Sequence, residues 1–339
     1  MNNARQRSTW RLRIVGALIF VLVWTSHSQA CNSDGRYLMG TVFEVTLCNH
    51  AGNTPQQVME HVFASVARLE AQISTFSPDS AVSQLNTHAG QDPRSVPTEV
   101  SDLLTQSRQY WHLTGGTFDI TVGPLLQAWS SAGTTQVLPS PTVLRRLKTK
   151  VGSDKITILA NGRVALATAG MALDLGGIGK GYALDLAARE FKAHGVTNAL
   201  LDFGQSSIWA LGQPDDAPHW RLLVQRPDGH EVGVVAIRDQ ALSISASFSQ
   251  QFTIQGRRYG HILDPRNGQP LQRDLLACVI APSATQAEAL SKALLILGEK
   301  EGIALLEHLP EVEGLLNEAS GRQWMTTGWQ HATAFAARQ

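Results

Sequence analysis

The chain has 339 residues, room for one large domain or two ordinary ones, and its 43% hydrophobic and 17% charged content describes a globular protein with its own core. Lysine plus arginine (28) balances aspartate plus glutamate (28), the pI is about 7.2 and no long basic run occurs, which argues against nucleic acid or a strongly acidic partner. Three cysteines with no Cys-x-x-Cys, and 11 scattered histidines, argue against a zinc centre.

The N-terminus reads as a separate object. Arg5, Arg7, Arg11 and Arg13 precede an apolar run of 11 residues from Ile14 to Trp24, too short for a comfortable membrane span and suited to a signal-peptide core. Ser28-Gln-Ala30 then fits a cleavage site, so residues 1–30 are expected to direct export to a periplasmic location, free or associated with the inner membrane. Cys31 follows and raises lipid anchoring, although Ser28 stands where lipoprotein processing usually wants an aliphatic residue. An uncleaved anchor is the third choice.

Tyr37 to Leu47 alternates as a strand broken at Gly40, and Val58, Val62, Val66, Leu69 and Ile73 keep a helical period behind Thr54-Pro55. A polar stretch, Ser74 to Ser80, leads to a short segment ending at Asn86. Residues 97–113 read as a helix closed by Gly115-Gly116, and residues 117–124 as an extended segment that stops at Gly123-Pro124. Residues 130–141 read as a loop and 141–150 as a short basic helix; Asn161-Gly162 between two apolar runs is the best hairpin signal in the chain. Strands are expected at 198–203, 206–211, 220–226, 232–237, 251–256 and 274–281, helices at 283–297 and 299–308, and a last hairpin around Ser320-Gly321. Cys48 and Cys278 lie in strand-like runs and read as buried thiols; an oxidising compartment allows a disulfide, but the sequence does not place those two side by side. Hairpins mixed with scattered helices argue an α+β fold, mixed sheets with packed helices in one globular unit, with two lobes allowed.

The stretch Asp174-Leu-Gly-Gly-Ile-Gly-Lys-Gly-Tyr182 places four glycines, 176, 177, 179 and 181, ahead of an amphipathic run on which Ala183, Leu186, Ala187 and Phe191 share a face while Asp185, Arg189 and Glu190 lie off it. Such a turn at a helix start presents backbone N–H groups to an anion, and Lys180 adds a full charge, so a phosphate-bearing ligand is the natural occupant. It is neither a P-loop, since Gly181 follows Lys180, nor a dinucleotide fingerprint, since Gly177, Gly179 and Gly181 are spaced Gly-x-Gly-x-Gly. A tight turn without a ligand is the plain alternative.

Met39-Gly-Thr41, Ser74-Thr-Phe76 with Asp79-Ser80 and Leu85-Asn86, Phe118 to Pro124, the glycine turn, and His261-Ile-Leu-Asp-Pro-Arg-Asn-Gly268 occur in that order. Together they resemble the ApbE family of flavin transferases, which move FMN from FAD onto a threonine or serine of a target protein. The resemblance covers roughly residues 36–328 and implies a single ApbE-like, T-fold-related domain. It implies that Met39, Phe76, Thr117, Phe118, Asp119, Asp174, Lys180 and Ile262 line FAD, that Gly177 and Glu288 serve a magnesium ion, and that His261 acts at the transfer step beside Lys180. It also implies an acceptor protein bearing a threonine or serine, and release of AMP. Two departures stand out. Lys292 occupies the family's threonine metal-ligand position, although a protonated lysine has no acceptor and repels a cation; and Ser245-Ala-Ser-Phe248 replaces the family's Ser-Gly-Asp/Asn-Tyr.

Each assignment has a plainer rival. Asp174 as a cap of the turn, Asp119 as a partner of nearby backbone, Met39 as core, His261 as a strand histidine, and Glu288–Lys292 as a surface i,i+4 pair all satisfy the sequence. At the level of the whole protein, an FAD-binding store and an FAD pyrophosphatase compete with the transferase.

Overall fold

The structure, a computed structural model, describes residues 31–48, 54–247, 251–333 and 336–337. The expectations for residues 1–30, and the part of the Ser245–Phe248 segment beyond Ser247, lie outside these.

The chain opens with a hairpin, β1 (Asn32–Leu38) and β2 (Thr41–Cys48), turned at Met39-Gly40, where both residues have positive φ. Helix α1 (Pro55–Ile73) starts on its proline, whose missing N–H costs nothing at a first turn, and α2 (Ala81–Thr87) is capped by the Ser80 hydroxyl. The short β3 (Arg94–Ser95) precedes α3 (Thr98–Leu113). Helix α4 (Gly123–Thr135) then begins at the Gly-Pro pair taken in the sequence as a stop, because proline at the first helical turn starts a helix as readily as it ends a strand. Residues 130–135 are therefore helical and not loop. Helix α5 (Pro141–Lys148) and the hairpin β4 (Ile156–Ile158) and β5 (Arg163–Leu166) follow.

The second half begins with α6 (Gly179–Ala193) and continues through β6 (Asn198–Phe203), β7 (Ser207–Leu211), β8 (Trp220–Gln225) and β9 (Glu231–Ile237). Strand β10 (Gln240–Ala246) was not read from the sequence: its Ser243 and Ser245 look like loop chemistry, yet both are buried. Two small hairpins, β11 (Gln251–Ile254) with β12 (Arg257–Gly260) and β13 (Leu263–Asp264) with β14 (Gln269–Pro270), lead to β15 (Leu275–Ala281). Helix α7 (Ala284–Glu307) is broken at Gly298, where φ is 75°, which is why it read as two helices. The hairpin β16 (Glu313–Glu318) and β17 (Gln323–Met325), then α8 (Trp329–Thr333) and β18 (Ala336–Ala337), complete the described chain.

Among the described residues the principal sheet is antiparallel with the order β1-β2-β6-β7-β10-β15-β16-β17. Its two faces follow from the two-residue period of a strand. Phe43, Val45, Leu47, Leu201, Phe203, Ala277 and Val279 point into one core with α1, α6 and α7, while Ile208, Leu242, Leu276, Cys278 and Ile280 point into a second core against β8, β9 and Trp329. Burial on both faces explains why β15 is apolar at every position. A third, smaller core joins α4 and α5 to the β11–β12 hairpin through Trp129, Leu144, Ile254 and Tyr259.

Cys48 is not a free thiol. It is bonded to Cys31, tying the start of β1 to the end of β2, while Cys278 alone is a free, buried thiol among the described residues. This disulfide and a lipid thioether on the Cys31 sulfur exclude each other.

The contact that positions the site is between α6 and α7. A Cβ built on Gly181 would stand 2.4 Å from the Ala284 carbonyl oxygen, so the helices approach where only glycine fits. One turn on, Asp185 accepts from the N–H of Ala284 (2.8 Å) and of Thr285 (2.9 Å), from the Thr285 hydroxyl and from the Trp209 indole (3.0 Å). Asp185, placed off the apolar stripe in the sequence, thus satisfies the first two N–H groups of α7 beside its N-cap Ser283; burial raises its carboxyl above the usual range, against the pull of these bonds. Alanine for glycine inside a helix normally stabilises, so a loss at Gly181 isolates the contact. Gly181→Ala should lower the unfolding free energy by about 2 kcal/mol through overpacking, and Asp185→Ala by about 3 kcal/mol by stranding several donors. Urea titration followed by circular dichroism measures both, and unchanged midpoints would show that the helices are held elsewhere.

Candidate functional site

The glycine turn is positioned from three sides. Asn86 of α2 donates to the Leu173 carbonyl (3.0 Å) and accepts from its N–H (2.7 Å), so one side chain replaces a strand partner. Asp174 N–H donates to the Ile120 carbonyl at 2.7 Å, and the Asp174 carboxylate accepts from Gly176 N–H at 2.9 Å. The Leu175 carbonyl accepts from both Ile178 and Gly179 N–H. The turn therefore satisfies three of its own donors, fewer being offered to an anion than the sequence suggested, and Asp174 is at least the cap of the turn.

The four glycines separate into kinds. Gly181 is required by α7, and a Cβ on Gly179 would press on Ile73 at 3.2 Å. None of the four has a positive φ, and Gly177 differs in that a Cβ there would meet only ordinary contacts, 3.7 Å from the Phe118 ring and 3.9 Å from Lys292 Cε. The fold does not demand glycine at 177, so the absent side chain leaves room beside an aromatic edge and a lysine stem.

Around that space lie the charged groups. Lys180, in the first turn of α6, donates to the Ser206 hydroxyl at 2.5 Å, in the turn between β6 and β7. Asp202, near the end of β6, accepts from Gln205 N–H; burial raises its carboxyl, opposed by that bond and by Lys180. Glu288 has a side chain only 1% exposed, so the pair with Lys292 is not on the surface. One of its oxygens accepts from the Ser207 hydroxyl, the other has no hydrogen-bond partner, and Lys292 Nζ stands 4.0 Å from it. Burial pushes the Lys292 ammonium below the usual lysine range, Glu288 opposes this and Lys180 adds to it.

The other candidates gather by contact. Thr117 and Phe118 are buried and braced by Thr114, whose carbonyl accepts from the Thr117 hydroxyl and whose own oxygen accepts from Phe118 N–H. Asp119 accepts at one oxygen from the backbone and hydroxyl of Thr121 and from the Ser153 hydroxyl, and burial still raises it. Its visible work is to brace the chain ahead of α4. Met39 packs on the main core and donates its N–H to Glu70 at 2.9 Å, near the end of α1. Phe76, two residues past the α1 cap Ser74, is 98% exposed, an apolar ring held in water. Ile73 ties that end of α1 to Gly179.

His261 stands at the bend between β12 and β13, half-buried, with Ile262 packed on the main core. Neighbouring Gly260 abuts the Ser247 carbonyl, where a Cβ would clash, at the end of β10. Strand β10 in turn joins α7 through Ser291, which bonds Ser243 (3.0 Å) and Ser245 (2.8 Å) next to Lys292. Ser245 and Ser247 are thus committed to internal bonds. Sequence reasoning missed Ser206 and Ser207 as partners of Lys180 and Glu288, and Asn86 was legible only as part of a motif.

Magnesium asks for octahedral oxygen donors. Of the three residues implied, Lys292 offers none and brings a positive charge, and Glu288 has one oxygen already engaged by Ser207. The donor set does not fit the ion.

A sheet sandwiched between helices and a smaller sheet, with a glycine turn that carries Lys180 and lies beside the Lys292 stem, defines an α+β domain. The chain belongs to the ApbE family, whose sequence profile it matches over residues 39–316. It is 30% identical over 275 residues to the FAD:protein FMN transferase of Treponema pallidum, covering 76% of each chain. It is 27% identical over 272 residues to that of Escherichia coli K12, covering 78% of this chain and 77% of the other. Among solved structures it resembles the ApbE protein of Thermotoga maritima (TM-score 0.81, 25% identity, 91% of this chain and 100% of the other). It also resembles the apo flavinyl transferase ApbE of Pseudomonas stutzeri (TM-score 0.79, 28% identity, 89% and 96%).

Removing the Ser207 hydroxyl leaves Glu288 with neither oxygen hydrogen-bonded. Ser207→Ala should cost about 2 kcal/mol of stability, the usual penalty for a stranded buried acceptor, whereas Ser207→Thr, which keeps the hydroxyl, should cost less. Denaturant midpoints test the order; equal losses would show that the hydroxyl carries no weight.

Proposed function

We propose that this protein is an FAD:protein FMN transferase, exported to an oxidising compartment, that modifies a threonine or serine of a partner protein. The observation that carries the reading is Gly177, where the fold does not require glycine, lying beside the Phe118 edge and the Lys292 stem and three residues before Lys180. An aromatic wall next to clustered positive charge suits a flavin dinucleotide and its diphosphate. The Cys31–Cys48 disulfide supports the oxidising compartment.

In the step, the acceptor hydroxyl oxygen forms a bond to the FMN-side phosphorus and the bond to the AMP-side bridging oxygen breaks. His261 takes the hydroxyl proton, and AMP leaves with the bonding electron pair. Lys180 neutralises charge that grows on the diphosphate. Phe76 offers a face to the isoalloxazine, and Met39, Thr117, Asp119, Asp174 and Ile262 shape the walls around it. A histidine titrates in the range where it can take a proton near neutral pH.

The test uses purified protein, FAD and candidate exported redox domains, with the acceptor weighed by mass spectrometry. Gain of FMN on a threonine or serine is expected. FAD bound without any product would favour a flavin store, and FMN plus AMP without a modified acceptor would favour a pyrophosphatase. Lys180→Ala should weaken FAD binding about tenfold, the scale of a charge-assisted contact. His261→Ala should keep FAD affinity while transfer falls about 10²–10⁴-fold. Wild-type transfer by the histidine variant would make that residue structural.

A further inference from the structure

The buried charges at the start of α7 do not balance as a simple pair. Glu288 is shielded from water, gives one oxygen to Ser207 and leaves the other without a hydrogen bond. Lys292, one turn later, stands 4.0 Å from that oxygen, beyond hydrogen-bond length, and keeps 18% exposure. Its stem passes beside Gly177, the glycine that the fold leaves open. Lys180, three residues past Gly177, enters the same neighbourhood from the first turn of α6. Lys180 acts electrostatically on Asp202 and Lys292 stands 4.0 Å from Glu288, so each ammonium has a carboxylate in reach but neither is held in a hydrogen-bonded ion pair, and the Lys292 stem borders Gly177.

We propose that Lys292 is a built-in replacement for a divalent cation: with Lys180 it clamps the diphosphate of the bound dinucleotide, and the site binds and cleaves that diphosphate without metal. This rests on the transferase reading above and deepens it. Glu288 then serves as a counter-charge that holds the Lys292 stem in the site and is not an ion ligand. An ammonium has three donors and no acceptor, so it can meet non-bridging phosphate oxygens directly while repelling a metal from Glu288. The rigid hold on α7 by Asp185 and on Ser291 by Ser243 and Ser245 fixes the helix from which Lys292 projects. A fixed charge of this kind costs no reorganisation when negative charge develops on the leaving phosphate.

The experiment measures FAD affinity by flavin fluorescence anisotropy and transfer by acceptor mass, each in EDTA and in magnesium. Wild type should keep the same FAD affinity in both, and its transfer should change less than about threefold, far below the 10²–10³-fold expected when an electrostatic stabiliser is lost. Lys292→Met, which keeps the stem and removes the charge, should weaken FAD binding about tenfold in EDTA. Lys292→Thr, which puts back an oxygen, should lose transfer in EDTA and regain it with magnesium. Should either variant fail to fold by circular dichroism, the wild-type comparison decides alone. Wild-type binding and transfer that are present in magnesium and collapse in EDTA overturn the assignment of Lys292 and leave the transferase reading intact. FAD binding absent in both conditions overturns the transferase reading, and with it this one.

Discussion

The approach of α6 to α7 is the constraint on which the site depends. The glycine turn belongs to the start of α6, while Glu288 and Lys292 belong to the start of α7. Their mutual geometry is set where Gly181 meets the Ala284 carbonyl and Asp185 accepts from the first two N–H groups of the facing helix. A side chain at 181 would push the helices apart, and the space beside Gly177 would open with them. The same carboxylate binds the Trp209 indole on β7, so the helix pair is registered against the sheet as well as against itself.

Around that junction the protein spends stability on charge. The carboxylates of buried Asp119 and half-buried Asp185 and Asp202 are all driven upward by desolvation, and each is partly offset by hydroxyl or backbone donors. Glu288 is less well provided for, with one oxygen unpartnered. Breaking a buried pair by removing one partner is far more costly than replacing both, so an imbalance of this kind persists where it serves a site. The exposed Phe76 ring is the apolar counterpart: it gains nothing from the core and stands in water at the end of α1.

The edge of the principal sheet is managed covalently. Among the described residues strand β1 pairs only with β2 in that sheet, and its first residue follows a cysteine bonded to the end of β2. A cross-link closing a loop of this size removes freedom from the unfolded chain, worth about 3 kcal/mol in the loop-entropy account. It holds the hairpin whose turn carries Met39, and it uses the one sulfur on which lipid attachment would depend.

Much of this was legible in the chain itself. The helical period of α1, the Asn-Gly hairpin between β4 and β5, the apolar run of β15 and the order of the five motifs are local patterns, and local patterns survive without knowledge of the partner. The α+β class and the family followed from them. Contacts between distant positions did not. Asp185 looked like a solvent residue because its partners lie about a hundred positions on; β10 looked like loop because its serines bond to Ser291 on α7. Gly-Pro at 123–124 fits either a strand end or a helix start, and only the parallel bridge of Val122 to Ala172 and the packing of Trp129 decide for the helix. Cys48 found its partner in Cys31 because the hairpin register brings Asn32 opposite Leu47. The residue types near Gly177 were written in the sequence, but that Gly181 serves packing while Gly177 leaves space is a matter of what a Cβ would strike, which only tertiary structure decides.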